Sequence, residues 1–299
     1  MTVQKSVHLG ALPDPAALLQ LIKPITWFPP MWAFLCGAVS TGMVATGDWS
    51  LVLLGLLLAG PVVCGMSQAA NDWCDRHVDA INEPGRPIPS GRVPGLWGLA
   101  VAIAMTALAL WLGGYLGPWG SAATIVAVIA AWAYSAEPIR LKRSAWWGPG
   151  LVGLCYEGLP WFTGAAVLST GVPRFEIVVT ALLYAIGAHG IMTLNDFKAL
   201  EGDRQTGIRS LPVVVGPHVA AKIACTVMAL AQSILIPLLL IWGLPLSALA
   251  VTVLLVAQLF AMRRLITDPK HLAPWYNATG VSLYVAGMMA AAIGLGTLP

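Results

Sequence analysis

Nine apolar stretches, most near the ~20 residues a helix needs to cross the hydrocarbon core of a bilayer, make up most of this 299-residue chain. Charged and Pro/Gly-rich interruptions cut them at 22–44, 51–73, 96–114, 119–135, 147–169, 175–196, 219–241, 244–262 and 274–297. They are continuously apolar and lack the period-2 alternation of a membrane strand, so the expected fold is all-α. Only 10% of residues are charged and 58% are hydrophobic, which sets aside a soluble enzyme; a lipid bilayer is the expected surrounding and no nucleic-acid partner is expected. The organisation this implies is a cytoplasmic or interfacial segment over 1–21, then one polytopic domain over 22–299. Its nine transmembrane helices are expected to surround a central cavity opening near the cytoplasmic side.

The distribution of positive charge orients the spans. On the nine-span reading fifteen of the sixteen Lys/Arg residues, from Lys5 and Lys23 through Arg263, Arg264 and Lys270, fall on one side, and Arg174 alone falls opposite. The positive-inside rule makes that side cytoplasmic, with the N-terminus inside and the C-terminus outside. Residues 1–20 carry Pro13, Asp14 and Pro15 and lack the apolar core of a cleavable signal, so a bacterial inner membrane, cytoplasmic or intracytoplasmic, is the expected location. The outside connections are short, as in Ala45-Thr46-Gly47-Asp48, while the inside ones are long and polar, so the chemistry is expected at the cytoplasmic face. Five cysteines (Cys36, Cys64, Cys74, Cys155, Cys225) without a CxxC spacing read as unpaired thiols.

Two of the inside connections begin alike. Asn71-Asp72-Trp73-Cys74-Asp75-Arg76-His77-Val78-Asp79 and Asn195-Asp196-Phe197-Lys198-Ala199-Leu200-Glu201-Gly202-Asp203 start 124 residues apart and together hold six of the thirteen acidic residues. Each closes a span running from outside to inside, which looks like a degenerate parallel repeat. Asp72, Asp75 and Asp79 are spaced i, i+3, i+7 and share a face if the helix continues. Carboxylates gathered at a helix C-terminus repel one another and oppose the macrodipole, so they need a cationic partner. An all-oxygen set of Asn71, Asp72, Asp75, Asp79, Asn195, Asp196, Glu201 and Asp203, with no His or Cys, suits Mg²⁺ better than Zn²⁺. Mg²⁺ usually bridges carboxylates to substrate phosphates, which implies a phosphate-bearing substrate. The bland alternative is that these acids only form interfacial salt bridges with Arg76, Arg86, Arg92 and Arg204.

Arg140, Lys142 and Arg143 follow Tyr134 in a third loop; they could neutralise a diphosphate, serve as a topology signal, or both. Within the membrane, His189 lies about two turns before Asn195 and would face the same cavity if it points inward, contacting an acceptor or ligating a macrocycle's metal. A neutral histidine packed between helices is the competing reading. Glu157, just before Pro160, is assigned no more than a cavity-lining place. Thirteen Trp residues read mainly as an interfacial belt, a few of them able to shield an allylic cation.

At these residues the chain resembles the UbiA-type intramembrane prenyltransferases over nearly its whole length. The matching pieces are the Asn-Asp-x-x-Asp-x-x-x-Asp run at 71–79, the Tyr-x-x-x-x-x-x-x-Lys-Arg run at 134–143 and the acidic run at 196–203. Asn71 to Arg92 and Asn195 to Gly216, above all Arg-Pro-Ile-Pro-Ser-Gly and Gly-Ile-Arg-Ser-Leu-Pro, resemble the chlorophyll and bacteriochlorophyll synthase branch most. Ala199 departs from the Asp-x-x-x-Asp of many superfamily members and weakens the second metal cage. The resemblance implies transfer of a C20 prenyl group, geranylgeranyl or phytyl, from its diphosphate to the propionate of a chlorophyllide or bacteriochlorophyllide. Two Mg²⁺ ions would enter with the diphosphate. Asp72, Asp75, Asp196, Arg140 and Lys142 would carry the reaction; Lys23, Arg76, Arg86, Tyr134, Arg140, Lys142, Arg143 and Arg204 would hold the diphosphate; His189 and Glu157 would meet the pigment. Pigment-biosynthesis or pigment–protein assembly partners fit the same reading. The alternatives are a quinone-precursor or haem acceptor, and a cation-coupled transporter.

Overall fold

The computed structural model describes residues 11–44, 47–169 and 171–299. Lys5, the other residues of 1–10, and Ala45 and Thr46 of the first outside connection lie outside the described residues. Within them every helix or strand element is helical: α1 (Pro15–Leu21), α2 (Phe28–Val39), α3 (Trp49–Leu57), α4 (Gly65–Asn82), α5 (Trp97–Gly113), α6 (Gly117–Ser135) and α7 (Trp147–Gly153). The second half continues with α8 (Leu159–Ser169), α9 (Phe175–Asn195), α10 (Leu200–Thr206), α11 (Leu211–Val215), α12 (Pro217–Ile241), α13 (Pro245–Thr267) and α14 (Pro269–Leu295).

Among the described residues, seven helical stretches are long and apolar enough to cross a membrane. The expected count of nine differs from this for two physical reasons. Trp97–Ser135 is one continuous stretch by this measure, yet it turns at Gly114–Leu116 and at Gly117 (φ 74°), and Thr124 of α6 packs back on Gly113 of α5. The first expected span, 22–44, is only the 12 residues of α2 in regular helix, ~18 Å at 1.5 Å per residue and short of the ~30 Å core. Its N-terminal part is broken by Lys23 in a left-handed conformation (φ 45°) and by a 3-10 turn at Pro24–Thr26. Two further stretches are continuous but widen: π-helical turns at Leu58–Cys64, around Pro61, and at Leu154–Gly158, just before Pro160, join α3 to α4 and α7 to α8. Proline leaves a helix carbonyl unpaired, and a widened turn accommodates this.

Small residues set the packing, as they must where lipid supplies no hydrophobic drive between helices. Gly37 on α2 and Gly164 on α8 each face the other helix's backbone carbonyls so closely that a Cβ would overlap them. The deepest aromatic layer is Trp161 stacked on Tyr184, with Tyr284 edge-on at 5.1 Å and its hydroxyl donating to the Tyr184 carbonyl at 2.7 Å. Gln258 donates to Tyr276 and accepts from Gln232, so these buried amide groups largely satisfy one another. All five cysteines are free thiols, as their spacing indicates.

The polar ends of α4, α6 and α9 come together. Gly202 of α10 abuts Asn82 at the end of α4, and Ser144 makes an isolated parallel bridge with Arg209. Arg174, the one cation on the other side of the charge map, donates to the Leu295 carbonyl at 2.7 Å and the Leu298 carbonyl at 2.9 Å. It therefore ties down the carbonyl end of α14, where a cation is favoured.

Candidate active site at the polar end of the bundle

The helix of span 2 does not stop at residue 73: α4 runs on through Asn82, and its i, i+3, i+7 spacing turns Asp72, Asp75 and Asp79 inward together. All three are buried, Asp72 at 1% exposure. Four cations from three separate segments close on them. Lys23 Nζ donates to Asp72 Oδ1 at 2.7 Å; Arg86 donates to Asp79 Oδ2 at 2.9 Å and to Asp72 Oδ1 at 3.3 Å, and its Nε pairs with Glu83. Arg140 donates to Asp75 Oδ1 at 2.8 Å, and Lys142 Nζ to Asp75 Oδ2. Lys23 and Arg140 (φ 39°) are the two non-glycine residues with positive φ among the described residues. Such backbone costs of order 1–3 kcal/mol and persists where the surroundings enforce it; here both strained residues deliver a cation to the same carboxylate cluster.

The electrostatics reflect this crowding. Burial is the largest influence on Lys142 and pulls its ammonium below the usual lysine range, with Asp75 offsetting part of the effect. Burial also acts to lower Arg86, but Glu83, Asp72 and Asp79 outweigh it and raise the guanidinium. The hydrogen bond from Arg86 holds Glu83 below the ordinary carboxylate range.

The second acidic run is built differently. After Asn195 the chain tightens into a 3-10 turn (Asp196–Ala199) before α10, so its acids do not share a helix face. Asn195 is held by Asn277 of α14, whose Nδ2 donates to it at 2.9 Å. Asp196 is partly buried and makes no hydrogen bond or ion pair with the described residues; Asp203 and Lys198 are the charges that act on it. Asp203 accepts from Ser210 Oγ at 2.6 Å, and Lys142 acts on it as well as on Asp75, which links the two runs. Tyr134 lies within electrostatic reach of Asp75, Asp196 and Asp203.

Other expected site residues fall outside this centre. Arg76 folds back over Trp73, 4.2 Å from the ring, and donates to the Trp73 carbonyl. Arg143 pairs with Glu137 at the surface, Arg204 is exposed, and Glu201 is exposed and accepts from Gln205 at 3.1 Å. Glu157 is buried in the π-turn beside Cys36 and Tyr284. His189 lines a separate cavity and is stacked on Trp146. Sequence reasoning missed Asn277, Ser210 and Ser135, which accepts from Asn71 Nδ2 at 3.3 Å. Ser135 adjoins the quoted Tyr134, whereas Asn277 gives no signal, because it sits in an apolar span 82 residues away.

Among the described residues no three His, Cys, Asp or Glu side chains are grouped closely enough to hold a metal by themselves. The fit to Mg²⁺ rests on atoms left over: Asp72 Oδ2 is buried with no hydrogen-bond partner, and the donor set is entirely oxygen. Arg140 Nε is likewise buried and unpartnered, a donor left for an oxygen the chain does not provide. An ion here would share protein carboxylates with oxygens of a bound substrate.

The UbiA prenyltransferase family model matches residues 26–295. A bacteriochlorophyll synthase 33 kDa chain from Cereibacter sphaeroides is 69% identical over 302 aligned positions that cover both chains completely. Chloroplastic chlorophyll synthase from Oryza sativa subsp. japonica is 36% identical over 92% of this chain and 75% of its own. Among solved structures, a UbiA homolog from Archaeoglobus fulgidus bound to DMAPP and Mg²⁺ superposes with a TM-score of 0.71 at 19% identity, over 92% of this chain and 99% of that one, which shows the shared fold. A family match over almost all the helices and a full-length relative at high identity lead to one conclusion: the protein is a multi-pass membrane prenyltransferase of the UbiA family.

Proposed function

We propose that the protein transfers a C20 prenyl group, geranylgeranyl or phytyl, from its diphosphate to the propionate carboxylate of bacteriochlorophyllide, with chlorophyllide the close alternative. The observation that carries this reading is the buried Asp72–Asp75–Asp79 face held by Lys23, Arg86, Arg140 and Lys142. The identity of 69% to a bacteriochlorophyll synthase, against 36% to a chlorophyll synthase, favours the bacterial pigment. The charge map supports an N-terminal segment on the cytoplasmic side and nine crossings; a bacterial inner membrane and a single domain over 22–299 complete the reading.

In this reading Asn71, Asp72, Asp75 and Asp79 on one run, and Asn195, Asp196, Glu201 and Asp203 on the other, are the residues that would hold Mg²⁺, two ions in all. When bound, Mg²⁺ neutralises the diphosphate as Lewis acid. Arg140, Lys142, Lys23 and Arg86 exchange part of their pairing with Asp72, Asp75 and Asp79 for diphosphate oxygens, charge already aimed where the leaving group gathers it. Arg76, Arg143 and Arg204 serve the approach of the diphosphate, and Tyr134 lies within electrostatic reach of both acidic runs.

The bond from the allylic carbon to the diphosphate oxygen breaks with the electron pair leaving on the diphosphate, and a propionate oxygen forms the new ester bond to that carbon. A propionate has a pKa near that of Glu, about 4.3, so it arrives ionised and needs no general base. His189→Ala is therefore expected to raise the acceptor KM more than it lowers kcat; a fall in kcat at unchanged KM contradicts the base-free scheme. The test of the function itself is purified protein given geranylgeranyl diphosphate and bacteriochlorophyllide, with and without Mg²⁺. An ester that requires Mg²⁺ is expected, and no such ester overturns the proposal. A panel with chlorophyllide, a quinone precursor and haem ranks the acceptors.

A further inference from the structure

We infer that the macrocycle of the acceptor docks in the pocket between α7, α9 and α12, where a ring nitrogen of His189 binds the macrocycle's central metal. This rests on the pigment reading above and names a residue and a place for it. The pocket has a volume of about 330 Å³, and its walls include Trp146, Gly150, Leu182, Ile186 and Val227. His189 is the only ionisable side chain in that lining. His189 is 9% exposed, and the Trp146 backbone lies within reach of its ring but outside full hydrogen-bond geometry, which leaves a ring nitrogen without a partner among the described residues.

A neutral imidazole carries one donor and one acceptor; a backbone carbonyl can take only the donor, so the acceptor nitrogen of His189 is left without a partner among the described residues. In an apolar pocket an unpaired ring nitrogen is a lone pair waiting for a Lewis acid. A flat, apolar macrocycle with a metal at its centre supplies the Lewis acid and fills the apolar walls, which a quinone ring does only in part. Leu182 and Ile186 are 48% and 58% exposed, so the pocket opens on the outer surface of the bundle, toward the lipid phase that dissolves such a pigment. Trp146 stacks on the His189 ring at 5.6 Å and 29° and fixes its plane.

Two elements join this pocket to the acidic centre. His189 and Asp196 are seven residues apart along α9 and its end, ~10 Å of helix rise, and Lys142 and Trp146 belong to one short connection. A macrocycle centred on His189 can thus turn its propionate edge toward the end where Lys142, Asp75 and Asp196 lie. Gly150 leaves the space beside the imidazole open: a Cβ there would meet only His189 Cδ2, at an ordinary 3.8 Å. A larger residue is therefore tolerated at 150 and would enter the pocket.

The experiment uses the whole protein in lipid nanodiscs. Binding of Mg-bacteriochlorophyllide and of its metal-free analogue is followed by quenching of tryptophan fluorescence, and axial ligation by resonance Raman spectroscopy. The wild type should prefer the metal form by about tenfold, the equivalent of ~1.4 kcal/mol, with a ligated metal. His189→Leu should abolish that preference and the ligation signature, His189→Gly should regain both on addition of imidazole, and Gly150→Leu should weaken both pigments alike. Prenyl diphosphate affinity should stay unchanged in all three variants, which reports that they fold. If His189→Leu keeps the preference and the ligation signature, the inference is wrong while the prenyl-transfer reading stands. If the wild type binds neither pigment and forms no ester, the functional reading falls and takes this one with it.

Discussion

The first acidic run rides on one unbroken helix, whereas the second is spread over the end of α9, a 3-10 turn and α10. Their opening residues are alike, Asn-Asp-aromatic, but the first presents three buried carboxylates bound by four cations, and the second leaves Asp196 without an ion pair among the described residues. The difference teaches that a recurring motif need not make a symmetric site. Spacing of i, i+3, i+7 keeps carboxylates on one face, while the i, i+5, i+7 spacing of Asp196, Glu201 and Asp203, with a tightened turn between, does not. The first run is organised in advance by its cations; in the second, Asp196 is the expected ligand left free among the described residues to close on what binds there.

Substitutions can break this asymmetry, and the largest effect is expected at Asp75. Asp75→Asn removes the shared partner of Arg140 and Lys142 and should lower kcat/KM for ester formation by about 10²–10³-fold, with a loss of thermal stability in detergent, since breaking one side of a buried pair costs ~3–5 kcal/mol. Asp196→Asn should cost about tenfold with little change in stability, because no ion pair is lost. If Asp196→Asn proves the costlier of the two, the second run is the principal cage and the comparison is inverted.

Lys142 is the link between the runs, and Lys142→Ala should raise the KM for the prenyl diphosphate by about 10–100-fold. Its sign with pH follows from burial. A lysine whose pKa is lowered loses its charge earlier as pH rises, so the donor KM should climb below the ordinary lysine range near 10.4. Lys142→Arg keeps its charge and should flatten that limb; an unchanged profile would remove Lys142 from diphosphate binding. A smaller, sharpening effect is expected from Ala199→Asp, at the exposed last residue of the 3-10 turn: the added carboxylate should lower the Mg²⁺ concentration for half-maximal activity by about twofold. The smallest belongs to Arg143→Ala, whose pairing with Glu137 is solvated on both sides, so activity should remain within about twofold of the wild type.

How legible was the site before the structure? The first run was legible because helical periodicity encodes a face, and the loop of Arg140 and Lys142 because three cations in four residues are rare in so apolar a chain. The pairings were not. Lys23 reaches Asp72 across 49 residues, Arg140 reaches Asp75 across 65, and Asn277 reaches Asn195 across 82. Nothing periodic links such positions, and two of the cations arrive through left-handed backbone that residue type does not announce. The same limit explains His189: its place on an apolar span was readable, but not that its side chain would line a cavity with an acceptor nitrogen left unpaired.

The sequence by itself determined what depends on local order. Apolar length and charge asymmetry dictated a helical membrane protein, and the spacing of three aspartates dictated a shared polar face, because both arise from rise and rotation per residue. Tertiary structure alone decided which cation meets which carboxylate, that Arg174 secures the end of α14, and that the two acidic runs differ in burial. Those outcomes depend on how helices far apart in the chain pack through small residues and widened turns, and contact across such distances is a property of the bundle rather than of any segment.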